Sequence, residues 1–297
     1  MPHRSGPLPV PCDIHRVFSA PSLGLCLPDL AARVRGRRVV LCTERRLAGP
    51  LRSFIAALAR AADGADLVTF QGGERNKNRR TKALLEDRLL ARGAAKDCLL
   101  VALGGGVVTD LVGFTAATYL RGVPYVSVPT TLLAMVDAAL GGKTGVNTPR
   151  GKNLVGAHHP PEAVYLALDT LATLPRREFA AGLAECLKHG LIEDRRLFRE
   201  LCGRTPAQVK AAPADLESLV RTSAAVKCRV ASEDPREATG RRNVLNAGHT
   251  VAHALESLSG FRMGHGEAVA AGLCWEAAVA VHQGLDQARI KTEITIE

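Results

Sequence analysis

The chain has 297 residues, 46% hydrophobic and 23% charged, the balance of an ordinary globular protein long enough for about two domains. Its formal charge of +10 raises nucleic acid as a partner, but the basic residues are scattered, aromatics make up only 4%, and no apolar run reaches a bilayer span, so neither nucleic acid nor a membrane is expected. Eight cysteines without a C-x-x-C are expected to be reduced and mostly buried, and an N-terminus without a signal-peptide core sets the cytoplasm as the expected compartment.

The N-terminal half alternates strands and helices. An apolar run from Val39 to Cys42 reads as a buried strand, and Pro50 opens a helical pattern through Leu51, Ile55 and Leu58. Leu67 to Phe70 is the next strand, followed by the loop QGGERNKN and a helix over Thr81 to Ala91. Then come a strand over Cys98 to Leu103, a helix over Val108 to Tyr119, a strand from Tyr125 and a helix over Thr131 to Leu140. Repeated β-α-β of this kind predicts a parallel sheet covered by helices, with ligands past the carboxyl ends of its strands.

The glycines fall at that edge. Gly104, Gly105 and Gly106 follow a buried strand and precede a helix, where backbone N–H groups can approach a phosphate. The spacing is not G-x-G-x-x-G, because Thr109 stands where the third glycine would be. Asp110, the pair Thr130 and Thr131, and Glu74 with Lys77 add carboxylate, hydroxyl and ammonium groups at the same edge. Each alone reads as a turn or a cap, and together they favour a nucleotide.

Arginines outnumber lysines 30 to nine, so the lysines that do occur draw notice. Lys143 and Lys152 lie in VDAALGGKTGVNTPRGKNLVGAHHPP, which reads as a glycine-rich loop able to bring cations close to a ligand. The adjacent His158 and His159 would point to opposite sides of an extended segment and are not selected as ligands.

After the strand AVYLAL and the turn DTLATLP the pattern becomes helical. Helices are expected over Glu178 to Leu191, Arg195 to Leu201, Leu216 to Val230, Gly248 to Leu258 and Glu267 to Val281. In the first of these Glu185 and Lys188 are three apart and share a face. Further on, RNVLNAGHTVAHALESLSGFRMGHGE holds three of the chain's nine histidines. His249 and His253 are four apart on one helix face, and His265 lies between two glycines. Thr250 follows His249, so this is not the H-E-x-x-H of a zinc protease. A catalytic zinc site usually takes three protein ligands, often two histidines and a carboxylate, and Glu185 is a carboxylate near the change of texture.

In this order GGERNK, GGGVVTD, VPTTLLAMVD, GGKTGVN, GKNLVGA, AGLAECLKHGLI, RNVLNAGHT and GHGEAV resemble 3-dehydroquinate synthase, from about residue 37 to 281. The resemblance implies a modified Rossmann-like α/β domain over residues 1–173 that binds NAD, and an all-α metal- and substrate-binding domain over residues 174–297. It implies cyclisation of 3-deoxy-D-arabino-heptulosonate 7-phosphate to 3-dehydroquinate with release of phosphate, in the shikimate pathway. It also implies Glu185, His249 and His265 as ligands of zinc or cobalt. Asp137, Lys143, Lys152, Asn153, Lys188, Arg242, Asn246 and His253 would surround the substrate, with Arg121 reaching the phosphate from the second subunit of a homodimer. NAD would lie on Gly72, Gly73, Glu74, Lys77, Gly105, Gly106, Val107, Asp110, Thr130, Thr131, Thr170 and Thr173, and Lys143 and Lys152 would contact it as well as the substrate.

The chain departs from the family pattern in places. Ala252 replaces the glycine usual in G-H-T-x-G-H, and Arg241, His158 and His159 also differ from common forms. Family members usually continue for several dozen residues with a phosphate-holding lysine, whereas this sequence stops at QARIKTEITIE, from which weak turnover and a tendency to associate are expected. Two other activities fit the same motifs, a cyclase for a different sugar phosphate and a metal-dependent polyol dehydrogenase, and a catalytically silent NAD-binding protein is a third reading.

Overall fold

A computed structural model describes residues 6–62, 64–260 and 262–284. The terminal QARIKTEITIE, to which the expectation of weak turnover attaches, lies outside the described residues.

The chain opens with β1 (Leu8–Val10), β2 (Arg16–Ala20) and α1 (Leu23–Val34). It continues through β3 (Val39–Glu44), α2 (Arg45–Ala48), α3 (Arg52–Ala61), β4 (Ala65–Phe70), α4 (Arg79–Ala91), β5 (Leu99–Gly104), α5 (Gly106–Thr118) and β6 (Tyr125–Pro129). A hairpin of β7 (Lys143–Thr148) and β8 (Gly151–His158) precedes β9 (Ala163–Ala167). From there the chain is helical: α6 (Arg176–Glu193), α7 (Arg195–Leu201), α8 (Pro206–Lys210), α9 (Pro213–Glu233), α10 (His249–Leu258) and α11 (His265–His282).

Seven strands form one sheet in the order β1-β2-β9-β6-β5-β3-β4, parallel except for β1 on β2. Residues of β3, β5, β6 and β9 are buried on both faces, which explains their unbroken apolar runs. Alternation along these strands sorts the core into two layers. Val40, Cys42, Leu100 and Ala102 pack with Leu85 and Leu89 of α4 and Val108 and Leu111 of α5. Val39, Leu41, Leu99, Val101 and Leu103 pack with Leu30 of α1 and Leu58 of α3. On the face opposite the second layer, Val10, Val17, Val164 and Leu166 of the sheet join Phe179 of α6 and Leu219, Val220 and Cys228 of α9, so the helical segment closes over one side of the sheet.

Two sequence expectations change. The helix expected over Thr131 to Leu140 is a short wide-turned helix at Ala134–Ala138, in which Ala139 N–H donates to Ala134 O at 3.0 Å, five residues back. Such wide turns recur at functional sites because they redirect side chains, and here Asp137 meets α9. The glycine-rich loop is the β7–β8 hairpin, with Gly145 opposite Gly156 and Val146 opposite Val155. Its glycines outweighed the period-two pattern of Thr144, Val146 and Thr148. His158 and His159 do separate: the first borders Gly142, and the second stacks on Tyr125 with ring centroids 5.7 Å apart.

Candidate active site

The carboxyl ends of β3, β4, β5 and β6 carry the groups expected around a dinucleotide. Gly105 caps α5 at the edge where its first amides lie, and a Cβ there would crowd Thr131 Cγ2 at 2.9 Å, so glycine lets Thr131 stand against the start of the helix. Thr130 N–H donates to Gly104 O at 2.9 Å, which sets Thr130 and Thr131 beside Gly104–Gly106 and Val107. Gly72, Gly73 and Glu44 line a cleft of about 340 Å³ with Arg45, Arg46 and Gln71. Glu44, missed in the sequence reading, ends a buried strand, where an acidic side chain meets the ribose in dinucleotide folds. Thr170 and Thr173 follow β9, with Thr170 Oγ1 donating to Ala167 O at 2.7 Å and Thr173 exposed.

The loop after β4 is tied to the hairpin. Lys77 is buried, forms an ion pair with Asp110, and donates to Asn153 Oδ1 at 2.6 Å. Asn147 Nδ2 donates to Glu74 Oε1 at 2.7 Å, and Asn153 N–H donates to Asn147 Oδ1 at 3.1 Å. Glu74 and Lys77 of one motif, Asp110 of a second and Asn153 of a third therefore form one network with Asn147.

Across from this edge, Glu185 on α6 is completely buried. Its Oε1 lies 3.8 Å from His249 Nε2 and 3.5 Å from His265 Nε2. His249 Nδ1 is 3.2 Å from Ala247 O, which can only accept, so Nδ1 carries the proton and Nε2 is left with its lone pair. His265 Nδ1 is likewise 3.2 Å from Glu256 Oε1. Histidine ligands held at the far nitrogen by a carbonyl or carboxylate are the usual arrangement around a metal. Neither Glu185 oxygen accepts a hydrogen bond among the described residues, and Lys188 forms an ion pair with it. Three donor atoms within 4.8 Å of one another, one an anionic oxygen and two imidazole nitrogens, fit a divalent ion such as zinc or cobalt. His253 is exposed with its ring 5.5 Å from that of His249, outside the donor set.

Burial opposes the charge on Glu185, but Lys188, His265 and His189 together outweigh it and lower the pKa to about 2. Burial also opposes an imidazolium at His265, yet Glu185 and Glu256 outweigh it and raise the pKa to about 9. His189, on the same helix, is pushed down to about 3 by burial and Lys188, and its Nδ1 meets Ser223 Oγ at 2.7 Å. Asp137, Glu185 and His189 also come within ligand spacing, but Asp137 is occupied by Lys227 at 2.5 Å. Burial works against the Asp137 carboxylate, and Lys227 and Lys188 pull its pKa well down regardless.

Arg242 is buried, with Nη2 donating to Gly141 O at 3.2 Å and Nη1 to Pro235 O at 3.2 Å. A Cβ on Gly141 would stand 2.7 Å from that Nη2, so the glycine makes room for the guanidinium. Lys143 pairs with Glu237, and Lys152 Nζ lies 2.7 Å from Glu256 Oε1. Asn246 is exposed in the turn before His249. Arg121 stands apart, at the end of α5 opposite to Gly106, about 20 Å along the helix by its 1.5 Å rise per residue.

Glu256 and Lys227 were not selected from the sequence. Glu256 is seven residues after His249, on the helix face that the two histidines mark, and that periodicity could have found it. Lys227 is one of the scarce lysines, within the apolar pattern of α9. Ala252 is buried against Ala268, Val269 and Leu273 of α11, so its methyl group fills the α10–α11 contact.

A sequence model of the 3-dehydroquinate synthase N-terminal family matches residues 67–181, and one of the C-terminal family matches residues 182–296. The 3-dehydroquinate synthase of Symbiobacterium thermophilum is 46% identical over 262 residues, covering 87% of this chain and 73% of the relative. That of Geobacter metallireducens is 46% identical over 266 residues, with the same two shares. The solved structure of 2-epi-5-epi-valiolone synthase from Streptomyces hygroscopicus, with NAD+ and Zn2+ bound, gives a TM-score of 0.83 at 30% identity over 91% of this chain and 75% of that one. 2-Deoxy-scyllo-inosose synthase, complexed with carbaglucose-6-phosphate, NAD+ and Co2+, gives 0.81 at 27% identity over 94% and 76%. An iron-containing alcohol dehydrogenase, 14% identical with a TM-score of 0.67, shares the fold alone. With the two halves of one family matched end to end along this fold, the chain belongs to the 3-dehydroquinate synthase family.

Proposed function

We propose that the chain cyclises 3-deoxy-D-arabino-heptulosonate 7-phosphate to 3-dehydroquinate and releases phosphate, using NAD and a divalent metal. The observation that carries this reading is the buried Glu185 carboxylate facing His249 Nε2 and His265 Nε2, next to a concentration of ammonium groups, in a member of this family. When bound, the metal supplies a Lewis acid that acidifies a substrate hydroxyl and NAD a reversible hydride acceptor, so that the neighbouring C–H becomes acidic and phosphate leaves by elimination without net change in NAD.

The chain's own residues do the rest. Glu185, His249 and His265 hold the metal, and Ala247 O and Glu256 fix the ring orientations. The first amides of α5, with Thr130, Thr131 and the Gly72–Gly73 turn, receive the dinucleotide phosphates. Lys188 and Lys227 are ammonium groups beside the carboxylates of Glu185 and Asp137. With Lys143, Lys152 and Arg242 they provide the cations that a substrate with a carboxylate and a phosphate requires. Asn153 and Asn246 supply amide hydrogen bonds, and His253, exposed beside His249, exchanges a proton with the substrate.

Residues 1–173 as the NAD-binding unit and 174–297 as the metal- and substrate-binding unit agree with the change from alternating strands to helices at Arg176. The proposed assembly is a homodimer in which Arg121, just past the end of α5 remote from Gly106, would reach the phosphate bound by the second copy. The cytoplasm is the proposed compartment; no helix among the described residues is long and apolar enough to cross a membrane.

Phosphate, 3-dehydroquinate and NADH should be measured together after adding the heptulosonate phosphate to protein loaded with NAD and zinc. The reading predicts phosphate and 3-dehydroquinate in equal amounts with no accumulation of NADH. Accumulating NADH would mark a dehydrogenase, and phosphate release from a different sugar phosphate alone would mark another cyclase.

A further inference from the structure

The connection between β1 and β2 carries Cys12 and His15, three residues apart, and both turn toward Cys228 in the middle of α9. The two sulfurs and one ring nitrogen lie within 4.8 Å of one another. His15 is only 8% exposed, and neither of its ring nitrogens has a hydrogen-bond partner among the described residues. A neutral imidazole always presents one N–H and one lone pair, so burying both without partners is unfavourable unless something absent from the protein satisfies them. Cys228 is fully buried beside Val220 and Ala224, so no ordinary polar surface explains the group.

We propose that Cys12, His15 and Cys228 form a second metal site, distinct from the Glu185 site, that takes a thiophilic divalent cation, zinc foremost. Two thiolates and one imidazole are the ligand types zinc selects, and three protein ligands leave the fourth position to water. Tetrahedral coordination at the usual Zn–S and Zn–N lengths would separate the donor atoms by about 3.5–3.8 Å, so the cluster closes around an ion with side-chain movements of roughly 1 Å. A Cys12–Cys228 disulfide uses the same sulfurs but leaves His15 buried and unpartnered, which favours the metal.

The ion would staple the sheet edge to the helical segment. Arg221 already bridges these parts, with Nη1 donating to Ser19 Oγ at 2.8 Å and Nη2 to Pro9 O at 3.0 Å. Lys227, the neighbour of Cys228, reaches Asp137 from the same helix, so the staple holds α9 where it meets the active site. Binding exchanges two thiol protons for the cation and involves no change of oxidation state.

Cobalt is the probe, because thiolate-to-cobalt charge transfer absorbs in the near ultraviolet and the Glu185, His249, His265 set contains no sulfur. The full chain, stripped of metal under reducing conditions and titrated with Co2+, should bind two equivalents, one of them giving that absorption. Cys12→Ser should lose the absorption and one equivalent, and Glu185→Gln should keep the absorption and lose the other equivalent. In the unsubstituted protein, zinc should also protect Cys12 from alkylation. Absence of the thiolate absorption at saturating Co2+, its persistence in Cys12→Ser, or a Cys12–Cys228 disulfide in the isolated protein that zinc and reductant together do not replace would overturn the proposal.

Discussion

Glu256 Oε1 receives Lys152 Nζ at 2.7 Å, in a carboxylate that is 1% exposed. The same oxygen is 3.2 Å from His265 Nδ1, so one buried acid sets both a loop cation and a metal-facing imidazole. Glu256→Gln keeps the shape and removes the charge. Metal affinity should fall about 10- to 100-fold, as for other partners of histidine ligands, measured by competition with a chromophoric chelator. Unchanged affinity would show that His265 needs no help from Glu256.

The two hairpin lysines should behave differently. Lys143 is more than half exposed and pairs with a partly exposed Glu237, so Lys143→Met should shift stability by no more than about 0.5 kcal/mol while weakening ligand binding. Lys152→Met takes a partner from buried Glu256 and should cost about 1–3 kcal/mol as well. Denaturant titrations of both variants decide it, and equal losses would contradict the contrast in burial.

Lys227 and Asp137 form a largely buried pair, with side chains 11% and 22% exposed. Removing one partner strands the other charge, so Lys227→Met should destabilise the protein by about 3–5 kcal/mol. Combining it with Asp137→Asn should restore part of the stability and none of the turnover. Additive losses in the double variant would show that the two groups do not act as a pair.

Proton binding at His265 gives a pH dependence with a defined sign. In metal-free protein its pKa is raised from 6.5 to about 9, so the charged ring contributes stability that is complete below pH 6.5 and is lost as pH rises through about 9. A metal needs the deprotonated ring, so metal affinity should rise over the same interval. Thermal denaturation of chelator-treated protein across it should show falling stability, which His265→Gln should abolish. A flat profile in the parent protein would contradict the ion pairs with Glu185 and Glu256.

His253 separates metal binding from chemistry. It lies beside His249 but outside the donor set, so His253→Ala should retain the metal and lose turnover, while His249→Ala should lose both. Elemental analysis of the two variants beside their rates checks the division, and metal loss in His253→Ala would reverse it.

What the sequence made legible follows from the reach of each signal. The strands Val39–Glu44 and Leu99–Gly104 are buried on both faces and announce themselves as apolar runs. His249 and His265 belong to a scarce residue type and lie with Glu185 in motifs with fixed order, and the fold brings their donor atoms together. β1 has three residues and a proline, too few to show a period, and the sheet edge it forms with β2 went unread. Glu256 and Lys227 look like ordinary helical charges until α10 and α9 pack, because burial and pairing are properties of the assembled core. Gly145 and Gly156 suggested a loop, whereas they let the two strands of the hairpin approach closely.

The central claim joins the Glu185 site to the cyclisation of the heptulosonate phosphate, and one measurement tests both: release of phosphate and 3-dehydroquinate by the parent protein and by Glu185→Gln, each with NAD binding measured alongside. The account predicts equal amounts of the two products from the parent, neither product from the variant, and NAD binding in both. Equal turnover by the variant, or a parent protein that binds NAD and metal but forms no 3-dehydroquinate, would contradict it.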